Sequence, residues 1–132
     1  ALIDDLSIVP GTTPAVGTNY VRNGDFESTP LLENPPVTNS WVVNTNYTNT
    51  VITSSLVHNG NGALKLVCTT FGNAFGKVIS QNLSPAPLTN AVHTMSFWFW
   101  STNSATNLSV RIQNSSALSL KTNINITIIT SE

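Results

Sequence analysis

Charge is scarce in this sequence. Only 8% of its 132 residues are Asp, Glu, Lys or Arg, and the formal net charge at pH 7 is -1. Soluble proteins typically carry about 25% charged residues. The basic residues are scattered along the chain, at Arg22, Lys65, Lys77, Arg111 and Lys121. They do not form the concentrated basic surface that nucleic acid or an anionic membrane requires, so we expect neither as a partner.

Cysteine is almost absent, and so are targeting and membrane-spanning segments. The single cysteine, Cys68, excludes an internal disulfide, and its apolar context ALKLVCTT predicts a buried small side chain. The sequence shows no signal peptide and no apolar run long enough to cross a membrane. A polar surface of Asn, Thr and Ser is typical of secreted or cell-surface β-proteins. We therefore expect a piece of a larger secreted or surface bacterial protein, with its targeting signal upstream.

Motifs for catalysis are also missing. The sequence has no Ser-His-Asp order, Cys-His pair, phosphate loop or HExxH motif. A glycosidase needs two facing carboxylates, whereas most of the acidic residues here lie close together near the start of the chain. We expect no enzymatic activity.

Alternating apolar and polar residues replace the helical periodicity that the sequence lacks. About eight short strands are separated by turn signals such as HNGNG at residues 58–62. The longest and most aromatic strand is VHTMSFWFWS at residues 92–101. This pattern predicts an all-β protein, a jelly-roll β-sandwich of two antiparallel sheets with almost no helix.

Four motifs follow one another in a familiar order. They are Asn23-Gly24-Asp25-Phe26-Glu27, Trp41, His58 with Gly60 and Ala63-Leu64, and Ser96-Phe97-Trp98. Over roughly residues 18–113 this series resembles the galactose-binding-like jelly-roll carbohydrate-binding modules of families four, nine and twenty-two and their relatives. The resemblance implies a non-catalytic module that binds a polysaccharide or glycan, with Trp41 as a structural wedge. The alternative is a structural spacer or adhesion domain that has no small ligand and packs against neighbouring modules of the same chain.

The opening stretch LIDDLSIV resembles the closing strand of that family, although here it comes first. Two interpretations remain open for residues 1–10. They are the remnant of a preceding module, or they fill the closing slot of the same sandwich in a permuted frame. In both, residues 11–18 form a linker and residues 19–132 the module. We favour the permuted frame because the chain otherwise lacks that strand.

The two adjacent aspartates of this strand suggest a cation. Alternation places Asp4 on the apolar face with Leu2 and Leu6, where an unpaired carboxylate would be costly. Calcium accepts oxygen ligands at loose geometry. The resemblance implies a structural Ca²⁺ held by Glu27, Asp4 or Asp5 and backbone oxygens of residues 59–62, with Asn61 and Asp25 as further candidate ligands. The alternative is that Asp5 is solvated and Asp4 caps a backbone N–H.

The aromatic strand offers a ligand surface. Trp98 and Trp100 are two residues apart, so they share one face of the strand and lie about 7 Å from each other. Indole rings stack well against the apolar C–H face of a sugar. Candidate hydrogen-bond partners for the sugar hydroxyls are Arg111, Gln113 and Gln81. The alternative is that a loop covers the tryptophans, which then belong to the core.

Overall fold

The computed structural model divides the chain into two compact units, Ala1–Trp100 and Ser101–Glu132. It describes residues 1–70, 79–88, 90–101, 109–112 and 122–125. Across these residues the chain is all-β, as predicted, and its one helical element is the 3-10 turn Thr45–Tyr47. The strands are β1 (Leu2–Pro10), β2 (Val42–Val43), β3 (Val51–Thr53), β4 (Ala63–Lys65), β5 (Ile79–Ser80), β6 (His93–Trp100), β7 (Ser109–Ile112) and β8 (Thr122–Asn125). In the described part of the chain, no helix has the length and apolar character needed to cross a membrane.

A four-stranded antiparallel sheet forms the centre of the first unit, with the strand order β3-β4-β1-β6. β2 and β5 pair separately in the same unit, and β7 and β8 form a two-stranded antiparallel sheet in the second. β1 is an inner strand with neighbours on both edges. The first strand of the chain therefore lies inside the sheet of the first unit, and the two interpretations of its origin stay predictions.

β1 contains a bulge at Asp5 and Leu6. The register with β6 shifts between Asp4 and Ser7, so that Asp5 and Leu6 together face Phe97. Asp5 has a φ of 51°, a left-handed conformation that the short Asp side chain tolerates better than most. Beyond the bulge, Ser7 lies opposite Ser96. The simple alternation predicted from sequence holds as far as Asp4 and is wrong beyond it, because one extra residue exchanges the two faces of the strand.

Residues 19–24 fasten the bulge from one side. The Asn19 side-chain oxygen accepts hydrogen bonds from the N–H groups of Ile8 and Val21, both at 3.0 Å, and its amide donates to the Leu6 carbonyl at 3.2 Å. The Leu6 N–H in turn donates to the Gly24 carbonyl at 2.8 Å. Residues 19–24 form no strand of their own, and the Asn19 side chain makes three of their contacts with each other and with β1.

The core lies where this segment meets the sheet. Ile8, Tyr20 and Val21 are buried together, and Leu6, Trp41, Leu83 and Met95 pack against them. Trp41 also approaches the fully buried Phe26, with ring centroids 5.9 Å apart, and donates its indole N–H to the Asn23 carbonyl at 3.4 Å. Trp41 thus packs under residues 23–26 as a structural residue, which is the role that the resemblance implies.

Cys68 is exposed, which corrects the expectation of a buried thiol. β4 ends at Lys65, so the apolar run leaves the sheet before it reaches the cysteine. The Cys68 thiol donates instead to the Thr70 carbonyl at 3.3 Å. The strand propensity of ALKLVCTT extends beyond the two partner strands, because Lys65 already lies opposite Leu2 and Val51, where β1 and β3 begin.

A single methyl group added at Gly24 tests the close backbone contact between residues 19–24 and β1. A Cβ there would collide with the Leu6 carbonyl oxygen. We expect Gly24→Ala to lower the free energy of unfolding by about 2 kcal/mol or more, since backbone atoms cannot rotate out of the way. Chemical denaturation measures the loss.

Gly11→Ala serves as the control for this substitution. A Cβ at Gly11 meets no atom within 4 Å, and only its φ of 92° opposes the change, at a cost of about 1 kcal/mol. Equal losses for the two variants would contradict a steric role for Gly24.

Candidate functional site

The Asp4 carboxylate is fully buried and is held by backbone N–H groups. One oxygen accepts from the Asp5 N–H at 2.8 Å. The other accepts from the N–H groups of His58 at 2.9 Å and Asn59 at 3.3 Å. Hydrogen bonds to an ionised acceptor are strong and offset the cost of removing its charge from water. The partner that a buried Asp4 needs is therefore the start of the 58–62 turn.

Glu27 holds the other end of the same turn. Its Oε1 accepts from the N–H groups of Asn61 and Gly62, both at 2.8 Å, and its Oε2 accepts from the Asn61 side chain at 3.4 Å. These bonds, above all the one from the Asn61 backbone, lower the pKa of Glu27. Gly60 has a φ of 73°, and a Cβ there would collide with the Glu27 carboxylate. Both the turn conformation and the close approach of Glu27 require glycine.

These bonds bear on the predicted calcium. The 58–62 turn directs N–H groups at Asp4 and Glu27, and such groups are not the oxygen ligands that calcium takes. Among the residues that the structure describes, no group of three His, Cys, Asp or Glu could hold a metal ion. Asp5 and Asp25 lie in a neighbouring cleft, and Asn61 is engaged with Glu27. The hydrogen bonds supply the link between β1 and the turn that the ion was expected to supply.

Calcium itself stays a prediction, and thermal melts with and without a chelator test it. A bound ion that staples the strands would make the melting temperature several degrees lower in chelator. An unchanged melting temperature would contradict the ion and leave the N–H groups as the link that holds the turn.

His58 presents its ring beside the aromatic strand. Its Nδ1 lies 2.7 Å from an Asp5 carboxylate oxygen. Its ring stacks on Trp98, with centroids 5.7 Å apart and planes inclined by 24°. An ionised carboxylate can only accept a hydrogen bond, so the Nδ1 of His58 carries a proton and donates it to Asp5. The two adjacent aspartates thus both position His58, because Asp4 binds its backbone N–H and Asp5 binds its ring.

An open cleft of about 590 Å³ adjoins the stacked rings. Small-molecule sites commonly measure roughly 300–1,000 Å³. The lining comes from β1, β6, the 58–62 turn and the segment after β1, through Asp5, Leu6, Ser7, Val9, Ala15, Gly17, Asn19, Asp25, His58, Asn59, Ser96, Phe97 and Trp98. The Ser7 and Ser96 hydroxyls share a 2.8 Å hydrogen bond across the two strands.

The predicted ligand residues are distributed unevenly around this cleft. Trp98 lines it, whereas Trp100, 42% exposed and opposite Leu2, is not part of its lining. The Gln81 amide exchanges two 2.8 Å hydrogen bonds with the Arg22 backbone, so it anchors that segment and is not among the lining residues. Arg111 belongs to β7 of the second unit. Gln113 lies outside the described residues.

The sequence indicates that His58 lies in a turn, but it does not predict that the His58 ring lines the cleft. The positions of Asn19 and Asn59 in the cleft lining are likewise not predicted. One feature of the sequence could have indicated the position of the 58–62 turn: a buried Asp4 carboxylate needs N–H donors, and a glycine-rich turn supplies them. The orientation of the His58 ring had no signal of its own, because it depends on the bulge at Asp5.

Comparison of the chain with protein-family models, curated proteins and solved structures found no match. The chemistry of the cleft therefore carries the functional inference. The cleft combines an indole and an imidazole with carboxylate, amide and hydroxyl groups. Such groups can stack on a ring and exchange hydrogen bonds with hydroxyls.

Asp4→Asn tests the buried carboxylate. The amide nitrogen cannot accept a hydrogen bond, so at least one backbone N–H loses its partner. We expect the free energy of unfolding to fall by about 2–3 kcal/mol, measured by chemical denaturation. Asp25→Asn is the matched control, because its side chain is exposed and accepts no hydrogen bond from the described residues, and it should leave stability unchanged. Similar stability of the two variants would show that Asp4 does not hold the turn.

Proposed function

We propose that this chain is a non-catalytic carbohydrate-binding module of a larger secreted or surface bacterial protein, and that the cleft beside Trp98 takes the glycan. One observation carries the proposal: a stacked indole and imidazole lie in the same cleft as several groups that bond hydroxyls. Sugar rings need both an apolar surface and hydrogen bonds.

The aromatic wall would hold the apolar face of a sugar ring. Trp98 is half-buried and fixed on an eight-residue strand, and His58 is fixed by two aspartates. Little side-chain entropy remains to be lost on binding, which favours affinity. Trp100 is exposed but lies outside the lining, so we assign the stacking role to Trp98.

The polar lining would select hydroxyl orientation. His58 Nε2 can exchange a hydrogen bond with a hydroxyl, and Asp25 offers a carboxylate that accepts none from the described residues. Asn59 uses its side-chain oxygen for the Gly60 N–H at 3.0 Å, which leaves its amide N–H groups to donate. An open cleft with few anchors gives modest affinity, which neighbouring modules of the same chain raise through multivalent binding.

The fold part of the proposal is a galactose-binding-like jelly-roll sandwich. It is supported by the antiparallel sheets, by the inner position of β1 between β4 and β6, and by Trp41 packed under the first loop. The predicted calcium and Trp100 are not needed for this binding mode.

Affinity electrophoresis in gels containing different polysaccharides tests the function. We expect at least one polysaccharide to retard the protein. His58→Ala should abolish most of the retardation, because it removes the ring but keeps the backbone N–H that Asp4 binds. Trp98→Ala should act in the same direction.

Trp100→Ala is the matched control, since it removes an indole from the same strand outside the cleft. It should migrate like the unchanged protein. No retardation by any polysaccharide would overturn the proposal and leave the spacer or adhesion role. Loss of retardation in Trp100→Ala alone would place the glycan elsewhere.

A further inference from the structure

Among the described residues that line the cleft, the acidic side chains have no Lys or Arg beside them. Asp5 and Asp25 contribute carboxylates, His58 contributes an imidazole, and none of the described residues that line the cleft is Lys or Arg. The basic side chains that the structure describes lie elsewhere. Arg22 pairs with Glu33, and Lys65 is exposed on β4. A ligand in this cleft therefore meets a negative field without a compensating basic side chain from the described lining.

The two carboxylates have different roles. Asp5 binds the His58 ring at 2.7 Å and has a side chain only 35% exposed, so its charge is partly satisfied within the protein. Asp25 is exposed and accepts no hydrogen bond from any described residue. It follows the same Asn23-Gly24 step that fastens the β1 bulge, where the Leu6 N–H binds the Gly24 carbonyl. Asp25 thus offers a carboxylate on a fixed backbone, and no described residue pairs with it.

The Trp98 indole adds a second attraction for positive charge. The face of an indole ring is the negative end of its quadrupole and attracts ammonium groups within about 6 Å of the ring centroid. Trp98 and Asp25 line the same cleft. A cation on a sugar can therefore meet a carboxylate while the apolar face of that sugar meets the indole.

We propose that the glycan bound here carries free ammonium groups, as in polymers of deacetylated 2-amino sugars. The inference rests on the proposed function and names the class of sugar. Asp25 is its specificity-determining residue, because it offers a charge-assisted hydrogen bond to the ammonium. Glycans with carboxylate or sulfate groups are disfavoured by the same field.

A matched ligand pair tests this inference. Isothermal titration calorimetry would compare a β-1,4-linked glucosamine tetramer with its fully N-acetylated counterpart, which has the same backbone and no charge. We expect the free-amine tetramer to bind about tenfold more tightly at low salt, a factor equivalent to roughly 1.4 kcal/mol. High salt should reduce the difference, because the ion pair is near the surface.

Two variants with equal changes in net charge separate a local contact from a general attraction. Asp25→Asn should remove most of the preference for the free amine. Glu33→Gln, which removes a negative charge outside the cleft, should keep it. Equal loss in both variants would overturn the role of Asp25. His58→Ala should weaken both tetramers, because it removes part of the aromatic wall.

The binding results separate a preference for ammonium groups from carbohydrate binding itself. Equal binding of the two tetramers, or tighter binding of the acetylated one, would overturn the ammonium preference while the carbohydrate-binding function stands. If neither tetramer binds but another neutral polysaccharide retards the protein, the ammonium inference is likewise wrong. Failure of every sugar overturns both. A preference that disappears in chelator would assign the effect to a metal ion and overturn the direct contact.

Discussion

The buried Asp4 carboxylate accepts hydrogen bonds from three backbone N–H groups, and two of them, from His58 and Asn59, tie the middle of the sheet to the 58–62 turn. An inner strand with a charge inside it is stable only if that charge is satisfied. The turn satisfies it, and Glu27 binds the far end of the same turn. The position of the turn, and with it the position of His58, depends on this contact.

The bulge at Asp5 turns the anchored strand into one wall of a cleft. An extra residue directs the Asp5 side chain to the His58 ring and aligns Ser7 with Ser96 beside Trp98. Near the bulge, Asn19 and Gly24 form hydrogen bonds with backbone N–H and carbonyl groups of Leu6 and Ile8. The stacked rings and the polar groups around them therefore result from one local irregularity in β1. A regular strand would have placed Leu6 where Ser7 now lies.

The sequence predicted the all-β class with antiparallel sheets and only part of the site. Alternation indicated an all-β chain and a buried Asp4, and the wedge position of Trp41 followed from the resemblance. The bulge could not be predicted, because Asp5-Leu6 reads like any other alternating pair. The His58 ring and the exposure of Cys68 depend on which strands pair and where they end. Gln81 was assigned to a ligand, yet its amide binds the Arg22 backbone, a long-range contact that no local pattern reveals.

The inner position of β1 has a mechanical consequence. Hydrogen bonds between antiparallel strands run perpendicular to the strand axis, and β1 has such bonds on both edges, to β4 and to β6. A force that pulls along β1 loads many of these bonds together in shear. The strand then resists extraction more strongly than an edge strand peeled away one bond at a time.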